Sequence, residues 1–112
     1  MRSTWLGLIL LTAPFNLLMA QSPNAVHFSG ILVDTHNDFP SASIQKQVSL
    51  DANLKGITHT DLARLFAGGV DVQVFSIFCD GKQVQPYNWA RREIDSVEAW
   101  ARRNPQQLTI LH

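Results

Sequence analysis

The chain has 112 residues with 9 basic and 9 acidic side chains, so its formal net charge at neutral pH is zero. Without a basic excess, the composition argues against binding to nucleic acid or to an anionic membrane surface. The apolar share of 46% is that of an ordinary globular protein. An enzyme and a small binding or structural module remain as the function classes to distinguish.

The first 20 residues have the pattern of a secretory signal peptide. Arg2 supplies the positive charge near the N-terminus, and an apolar run follows from Trp5 to Ala20. The run is shorter than the roughly 20 residues needed to cross a bilayer, and cleavage after Ala20 leaves residues 21–112 as the mature domain. We therefore expect an exported protein, periplasmic or secreted, that associates with a membrane only if this segment stays uncleaved.

The first strand is predicted from the short apolar run Ile31–Val33, which is typical of a buried strand in a parallel sheet. Side chains alternate across a strand, so Asp34, His36 and Asp38 are predicted to share one face. An imidazole nitrogen beside a carboxylate oxygen suits zinc, which accepts both ligand types. The same residues also fit a hydrogen-bonded turn, and zinc needs at least three protein ligands, so both interpretations stay open.

The middle of the chain predicts a loop and then a short helix. Residues 41–56 show no steady period and are predicted to form a long loop after the strand. A compact helix is expected next, with Thr58 or Thr60 as its N-cap and Asp61 in its first turn. Gly68-Gly69 is predicted to end it, because glycine tolerates the positive φ of a C-terminal cap.

The second half predicts a strand, a long helix and another strand. Residues 70–79 are apolar on both faces and predict a covered strand, with the single cysteine, Cys79, as a buried inert thiol at its end. An apolar stripe at helical spacing predicts a helix over residues 87–103. Residues 108–112 predict the beginning of a third strand. This order indicates a parallel sheet, and the uncovered third strand suggests the N-terminal fragment of a longer protein.

Two motifs at a specific spacing give the sequence a resemblance to a known family. The first reads Val33-Asp-Thr-His-Asn-Asp-Phe-Pro; the second reads His59-Thr-Asp-Leu-Ala-Arg-Leu-Phe-Ala-Gly-Gly-Val and is followed by Gln73-Val-Phe-Ser. Together they resemble the N-terminal part of the membrane (renal) dipeptidase family, the M19 peptidases. The resemblance runs from about Ile31 to the C-terminus.

The resemblance implies the N-terminal portion of a (β/α)8 TIM-type metallohydrolase barrel, with about two β/α units and the start of a third strand. It implies a binuclear zinc site that hydrolyses the peptide bond of dipeptides, with His36 and Asp38 on one zinc ion. A bridging glutamate, two further histidines and the catalytic groups would come from later strands, so the fragment alone is expected to be inactive. The alternatives are another metal-dependent amidohydrolase on the same barrel and a non-catalytic binding or structural fragment.

Overall fold

The computed structural model of the protein describes residues 22–111, and the predicted signal peptide, residues 1–20, lies outside this range. None of the helices in the described range has the length and apolar character that a membrane crossing requires. The elements in chain order are α1 Pro23–His27, β1 Val33–Asn37, α2 Phe39–Lys46, α3 Leu62–Ala67, β2 Val72–Phe75 and α4 Pro86–Arg103.

The two strands form a parallel pair. Val33 lies opposite Val72, and Asp34 lies opposite Gln73, but the register shifts between Asp34 and Asn37. This arrangement confirms the predicted mixed α/β class with parallel strands. Because the strands run in the same direction, their carboxyl ends lie on the same side of the sheet.

α2 begins two residues after the end of β1 and extends to Lys46, into the region 41–56 that the sequence predicted as a loop. Asp38 is the N-cap residue of α2, and Pro40 lies in the first turn, where a missing N–H removes no helical hydrogen bond. The buried face of α2 includes Ser41 and Ser43, and the Ser43 hydroxyl donates to the Pro40 carbonyl at 2.7 Å. The sequence prediction was wrong here because serines occupy positions that are normally apolar in an amphipathic helix.

The cap of α3 also differs from the prediction. Asp61 is the N-cap residue, and its carboxylate accepts the backbone N–H of Arg64 at 2.9 Å. The prediction of a threonine cap was wrong, since the Thr58 hydroxyl donates to the carbonyl of Thr60 instead, at 2.6 Å. The expected glycine turn is confirmed at the end of the helix, where Gly69 has a φ of 70°.

The predicted strands are longer than the observed ones. β2 covers only Val72–Phe75 of the predicted run 70–79, and residues 108–111, the described part of the predicted third strand, form no strand. An apolar segment becomes a strand only where a partner takes up its backbone hydrogen bonds. Leu108 instead donates its N–H to the carbonyl of Asn104, and its side chain packs against the core.

The core joins four separate parts of the chain through α4, the helix that the sequence predicted best. The ring of Trp100 lies 5.4 Å from that of Phe39 and 6.0 Å from that of Phe75, measured between centroids. Leu50, Leu54 and Leu62 complete the buried cluster. The first turn of α2 is therefore held against α4, immediately after the residues that the sequence proposes as metal ligands.

Candidate metal-binding site

His36 and Asp38, the candidate pair, lie side by side where β1 ends. Nε2 of His36 is 3.2 Å from Oδ1 of Asp38, and the side chains are 71% and 59% exposed. The sequence placed both on one face of a strand, but Asp38 lies outside β1, as the N-cap residue of α2. The turn between β1 and α2 therefore brings the two side chains together.

The spacing of the candidate pair can be compared with that of zinc ligands. Two ligand atoms about 2.0–2.1 Å from a tetrahedral zinc ion are about 3.3–3.4 Å apart. The observed separation of 3.2 Å is close to this value, and it also fits a hydrogen bond between the imidazole and the carboxylate. Within residues 22–111, no group of three or more His, Cys, Asp or Glu side chains could hold a metal ion. The pair thus fits as two ligands of a zinc site that needs at least one more.

Asn37 fixes the turn that carries the candidate pair. Its Oδ1 accepts the backbone N–H of Phe39 at 3.0 Å. Its Nδ2 is 3.2 Å from Oγ1 of Thr60 and 3.2 Å from Oε1 of Gln73, and donates to both. An asparagine that accepts the N–H two residues later is a common turn former, and Asn37 begins the Asn-Asp-Phe-Pro sequence that favours a turn. It ties β1, β2 and the segment before α3 to one another.

Asp34 lies on the other side of His36. Its Oδ1 accepts the backbone N–H of His36 at 3.2 Å, and its backbone carbonyl accepts from Nε2 of Gln73 at 3.4 Å. The side-chain amide of Gln73 and, next, the N–H of His36 hold the pKa of Asp34 below its ordinary value. Asp34 is therefore an anion that orients the backbone of His36.

The remaining His and Cys residues among the described residues lie elsewhere. His27 is exposed, and its Nε2 donates to the carbonyl of Gly68 at 2.8 Å. His59 is exposed in the segment before α3. Cys79 is half-buried rather than buried, and its Sγ donates to the carbonyl of Pro86 at 3.2 Å. Each therefore has a place in the structure apart from the candidate pair.

The second motif builds a support for the segment before α3. Oδ2 of the buried Asp61 accepts the N–H of Leu54 at 3.1 Å and Nε of Arg64 at 2.8 Å. Nη2 of Arg64 donates to the carbonyl of Thr58 at 2.8 Å. The pKa of Asp61 is lowered, chiefly by the backbone N–H of Arg64. This ion pair holds Thr60 where its hydroxyl meets Asn37, so the two motifs meet in the fold.

A family model described as membrane dipeptidase (peptidase family M19) matches residues 20–112. The chain belongs to this family. The searches of curated proteins and of solved structures gave no match. Membership of the membrane dipeptidase family indicates a hydrolase of the metallopeptidase class. The match contains both motifs and therefore includes the candidate pair and the residues that fix its turn.

Proposed function

We propose that the protein is a zinc-dependent dipeptidase, which hydrolyses the peptide bond of dipeptides on a (β/α)8 barrel. The observation that carries the proposal is the candidate pair, with His36 Nε2 3.2 Å from Asp38 Oδ1, in a chain of the M19 family. Barrel enzymes place their catalytic groups where strands end, which is where this pair lies. In this proposal β1 and β2 are the first two barrel strands, and residues 21–112 form part of the barrel domain.

His36 and Asp38 would hold one ion of a zinc pair through an imidazole nitrogen and a carboxylate oxygen. Bound zinc polarises a peptide carbonyl and lowers the pKa of water, so that hydrolysis proceeds at neutral pH. The further ligands come from residues outside 22–111, because that range holds no complete metal-binding group. The exposure of both side chains agrees with a site that other parts of the protein complete.

In the proposed reaction, Asp34 and Asn37 hold the turn that carries the two metal ligands in position. Asp34 accepts the backbone N–H of His36, and Asn37 accepts that of Phe39, so a hydrogen bond fixes the backbone on each side of the turn. Ligands held in place before the metal arrives lose less conformational entropy on binding. We therefore expect Asn37→Ala to weaken zinc binding without removing a ligand.

The decisive experiment compares His36→Ala with His59→Ala in the full protein. Zinc content after dialysis and the rate of dipeptide hydrolysis are measured for both variants and for the wild type. His36→Ala should lose zinc and at least about 100-fold in activity, since a ligand matters more than an outer partner does. His59→Ala, the matched control, should behave as the wild type. Full activity in His36→Ala would refute the proposal.

A panel of substrates, tested on the same preparation, distinguishes a dipeptidase from other metal-dependent amidohydrolases. Dipeptides should be hydrolysed faster than a lactone, a simple amide or a phosphoester. A preference for one of these other substrates would assign the protein to another metal-dependent amidohydrolase activity. Zinc binding without turnover of any substrate would support a non-catalytic binding role.

Export is a further part of the proposal and has its own test. Residues 1–20 have the pattern of a cleavable signal peptide. N-terminal sequencing of the protein from the exported fraction should begin at Gln21. A protein that retains Met1 and sediments with membranes would instead show that the segment serves as an anchor.

A further inference from the structure

The register shift between Asp34 and Asn37 falls at His36, the first residue of the candidate pair. Two residues of β1 lie between Asp34 and Asn37, whereas one residue of β2 lies between their partners, Gln73 and Phe75. An extra residue of this kind is a β-bulge, which interrupts the hydrogen-bond ladder and often lies next to active sites, where it redirects a side chain. Contacts other than the regular ladder must therefore hold this part of β1 in place.

The side chain of Gln73, on β2, reaches the residues on both sides of the bulge. Its Oε1 accepts from Nδ2 of Asn37 at 3.2 Å. Its Nε2 donates to the backbone carbonyl of Asp34 at 3.4 Å and to that of Val74 at 3.3 Å. Gln73 is half-buried, so water competes less for these hydrogen bonds than it does at an exposed site. The contacts of this one amide thus span the interval that contains His36.

The donor and acceptor roles in this network follow from one another. Oδ1 of Asn37 accepts the backbone N–H of Phe39 at 3.0 Å, which leaves the Nδ2 group of Asn37 to face Gln73. A glutamine can accept this group only through Oε1, so its Nε2 is turned toward the strand carbonyls. Glutamine therefore fits this position, because it supplies an acceptor on one side and a donor on the other.

We infer that Gln73 is a positioning residue for the candidate pair, acting through Asn37. The strand carbonyls orient its amide, and the amide in turn holds the side chain that forms the turn after β1. A displacement of Asn37 would move this turn and change the 3.2 Å separation between His36 Nε2 and Asp38 Oδ1. The importance of this role for zinc rests on the proposed function.

A purely structural role for Gln73 would be to stabilise the pairing of β1 with β2. That role predicts a lower free energy of unfolding, with no change at the imidazole of His36 in the molecules that remain folded. A positioning role predicts a change at His36 in the folded protein, transmitted by Asn37. The two roles therefore differ in where a substitution of Gln73 has its effect.

The first measurement follows the imidazole resonances of His36 in the metal-free full protein, using 15N-labelled histidine. Gln73→Met removes both hydrogen-bonding groups at similar size, and Gln83→Met makes the same change at a half-buried glutamine in the loop before α4. The spectrum of Asp38→Ala is the reference for a lost contact within the candidate pair. In Gln73→Met the resonances should move toward this reference, and in Gln83→Met they should stay at the wild-type positions. Unchanged His36 resonances in folded Gln73→Met would overturn the inference.

A zinc titration of the full protein against a chromogenic chelator tests the route through Asn37. Gln73→Met should weaken zinc binding by about 3- to 10-fold, less than the loss of a direct partner of a ligand, because its hydrogen bonds go to neighbours of the ligands. Substitutions that act by one route are not additive, so Gln73→Met combined with Asn37→Ala should weaken binding little more than Asn37→Ala alone. Effects that add fully in the double variant would contradict the inference.

The two measurements separate the inference from the proposed function. A His36 response to Gln73→Met in a protein that binds no zinc would support the positioning role and refute the zinc site. Zinc binding that depends on His36 but not on Gln73 would overturn the inference and leave the proposed function standing.

A second variant covers the case in which Gln73→Met fails to fold. Gln73→Ser then replaces it, because serine keeps a polar group at this half-buried position but is too short to reach Asn37. The His36 resonances should again move toward those of Asp38→Ala. Resonances that do not respond to Gln73→Ser would overturn the inference.

Discussion

Replacing Asp51 by asparagine tests how the segment before α3 is tied to the end of α4. Oδ2 of Asp51 accepts from Nε of Arg103 at 2.9 Å, and Oδ1 accepts from Nη2 at 3.2 Å, so the guanidinium binds both carboxylate oxygens. Nδ2 of Asn104 donates to the same carboxylate at 3.2 Å. The contact joins residues that are 52 positions apart in the sequence.

The expected magnitude follows from the exposure of this pair. The side chain of Asp51 is 24% exposed and that of Arg103 is 51% exposed. Exposed ion pairs contribute about 0.2–1 kcal/mol, and hydrogen bonds to charged groups contribute about 1.5–3 kcal/mol. A bidentate, half-exposed pair lies between these ranges, so Asp51→Asn should lower the free energy of unfolding by about 1–2 kcal/mol. Asp95→Asn, which breaks the more exposed pair with Arg91, should cost about 0.5 kcal/mol or less.

The loss of stability caused by Asp51→Asn should become smaller as the pH falls. The guanidinium of Arg103, followed by the Ser49 hydroxyl and the Asn104 amide, holds the pKa of Asp51 well below its ordinary value of 3.8. A carboxyl with a lowered pKa in the folded state stabilises the protein above its unfolded pKa. That contribution is lost as the pH falls toward the folded pKa. Between neutral pH and about pH 3, the contribution of Asp51 to the free energy of unfolding should fall by about 1 kcal/mol.

Urea unfolding of the full protein, followed by circular dichroism, gives the free energies at both pH values. The difference between the wild type and Asp51→Asn should be largest at neutral pH and much smaller at about pH 3. The reasoning fails if Asp51→Asn costs no more than Asp95→Asn at neutral pH. It also fails if the difference is the same at both pH values.

Two further predictions concern the core and the glycine turns, and urea unfolding measures both. Leu50→Ala should lower the free energy of unfolding by about 2–5 kcal/mol, because Leu50 is 0% exposed. Val84 is 94% exposed, so Val84→Ala should change the free energy of unfolding by about 0.5 kcal/mol or less. Gly56→Ala should cost about 1–2 kcal/mol, because its φ of 82° disfavours a side chain while the space around it is open. Gly69→Ala should lower the free energy of unfolding by more than Gly56→Ala does, because its added Cβ meets the ring of Phe28 at 2.7 Å. Equal losses of stability in the two variants would show that the ring moves aside.

The sequence predicted those elements whose pattern matches their packing. α4 was found almost to the residue because apolar residues recur along it at helical spacing; Trp100 and Val97 of this stripe pack in the core, whereas Ile94 is exposed. α2 was missed because serines and a proline occupy its buried positions, which a search for apolar periodicity does not register. The third strand was predicted from composition alone, whereas a strand also needs a partner, and residues 108–111 have none among the described residues.

The sequence also predicted the candidate pair, but it attributed their proximity to the strand, whereas in the structure the turn brings the two side chains together. Alternation along a strand explained why His36 and Asp38 lie on the same side, but it did not show how close their side chains come. Two residues along an extended strand separate side chains on one face by about 6.6 Å. The structure brings Nε2 and Oδ1 to 3.2 Å because β1 stops at Asn37 and α2 begins at Phe39.

Because the turn sets the distance between His36 and Asp38, substitutions in the turn should affect a bound metal more than substitutions in the strand. If the strand determined the spacing of the candidate pair, substitutions in β1 such as Thr35→Ser would matter most. Because the turn determines it, residues that hold the turn matter more, namely Asn37 by its hydrogen bond to Phe39 and Trp100 by its packing on Phe39. These groups lie on β1 and α4, elements that are distant in sequence, so no local motif contains the whole site. The motif identifies the ligands, and the packing of α2 against α4 gives them their spacing.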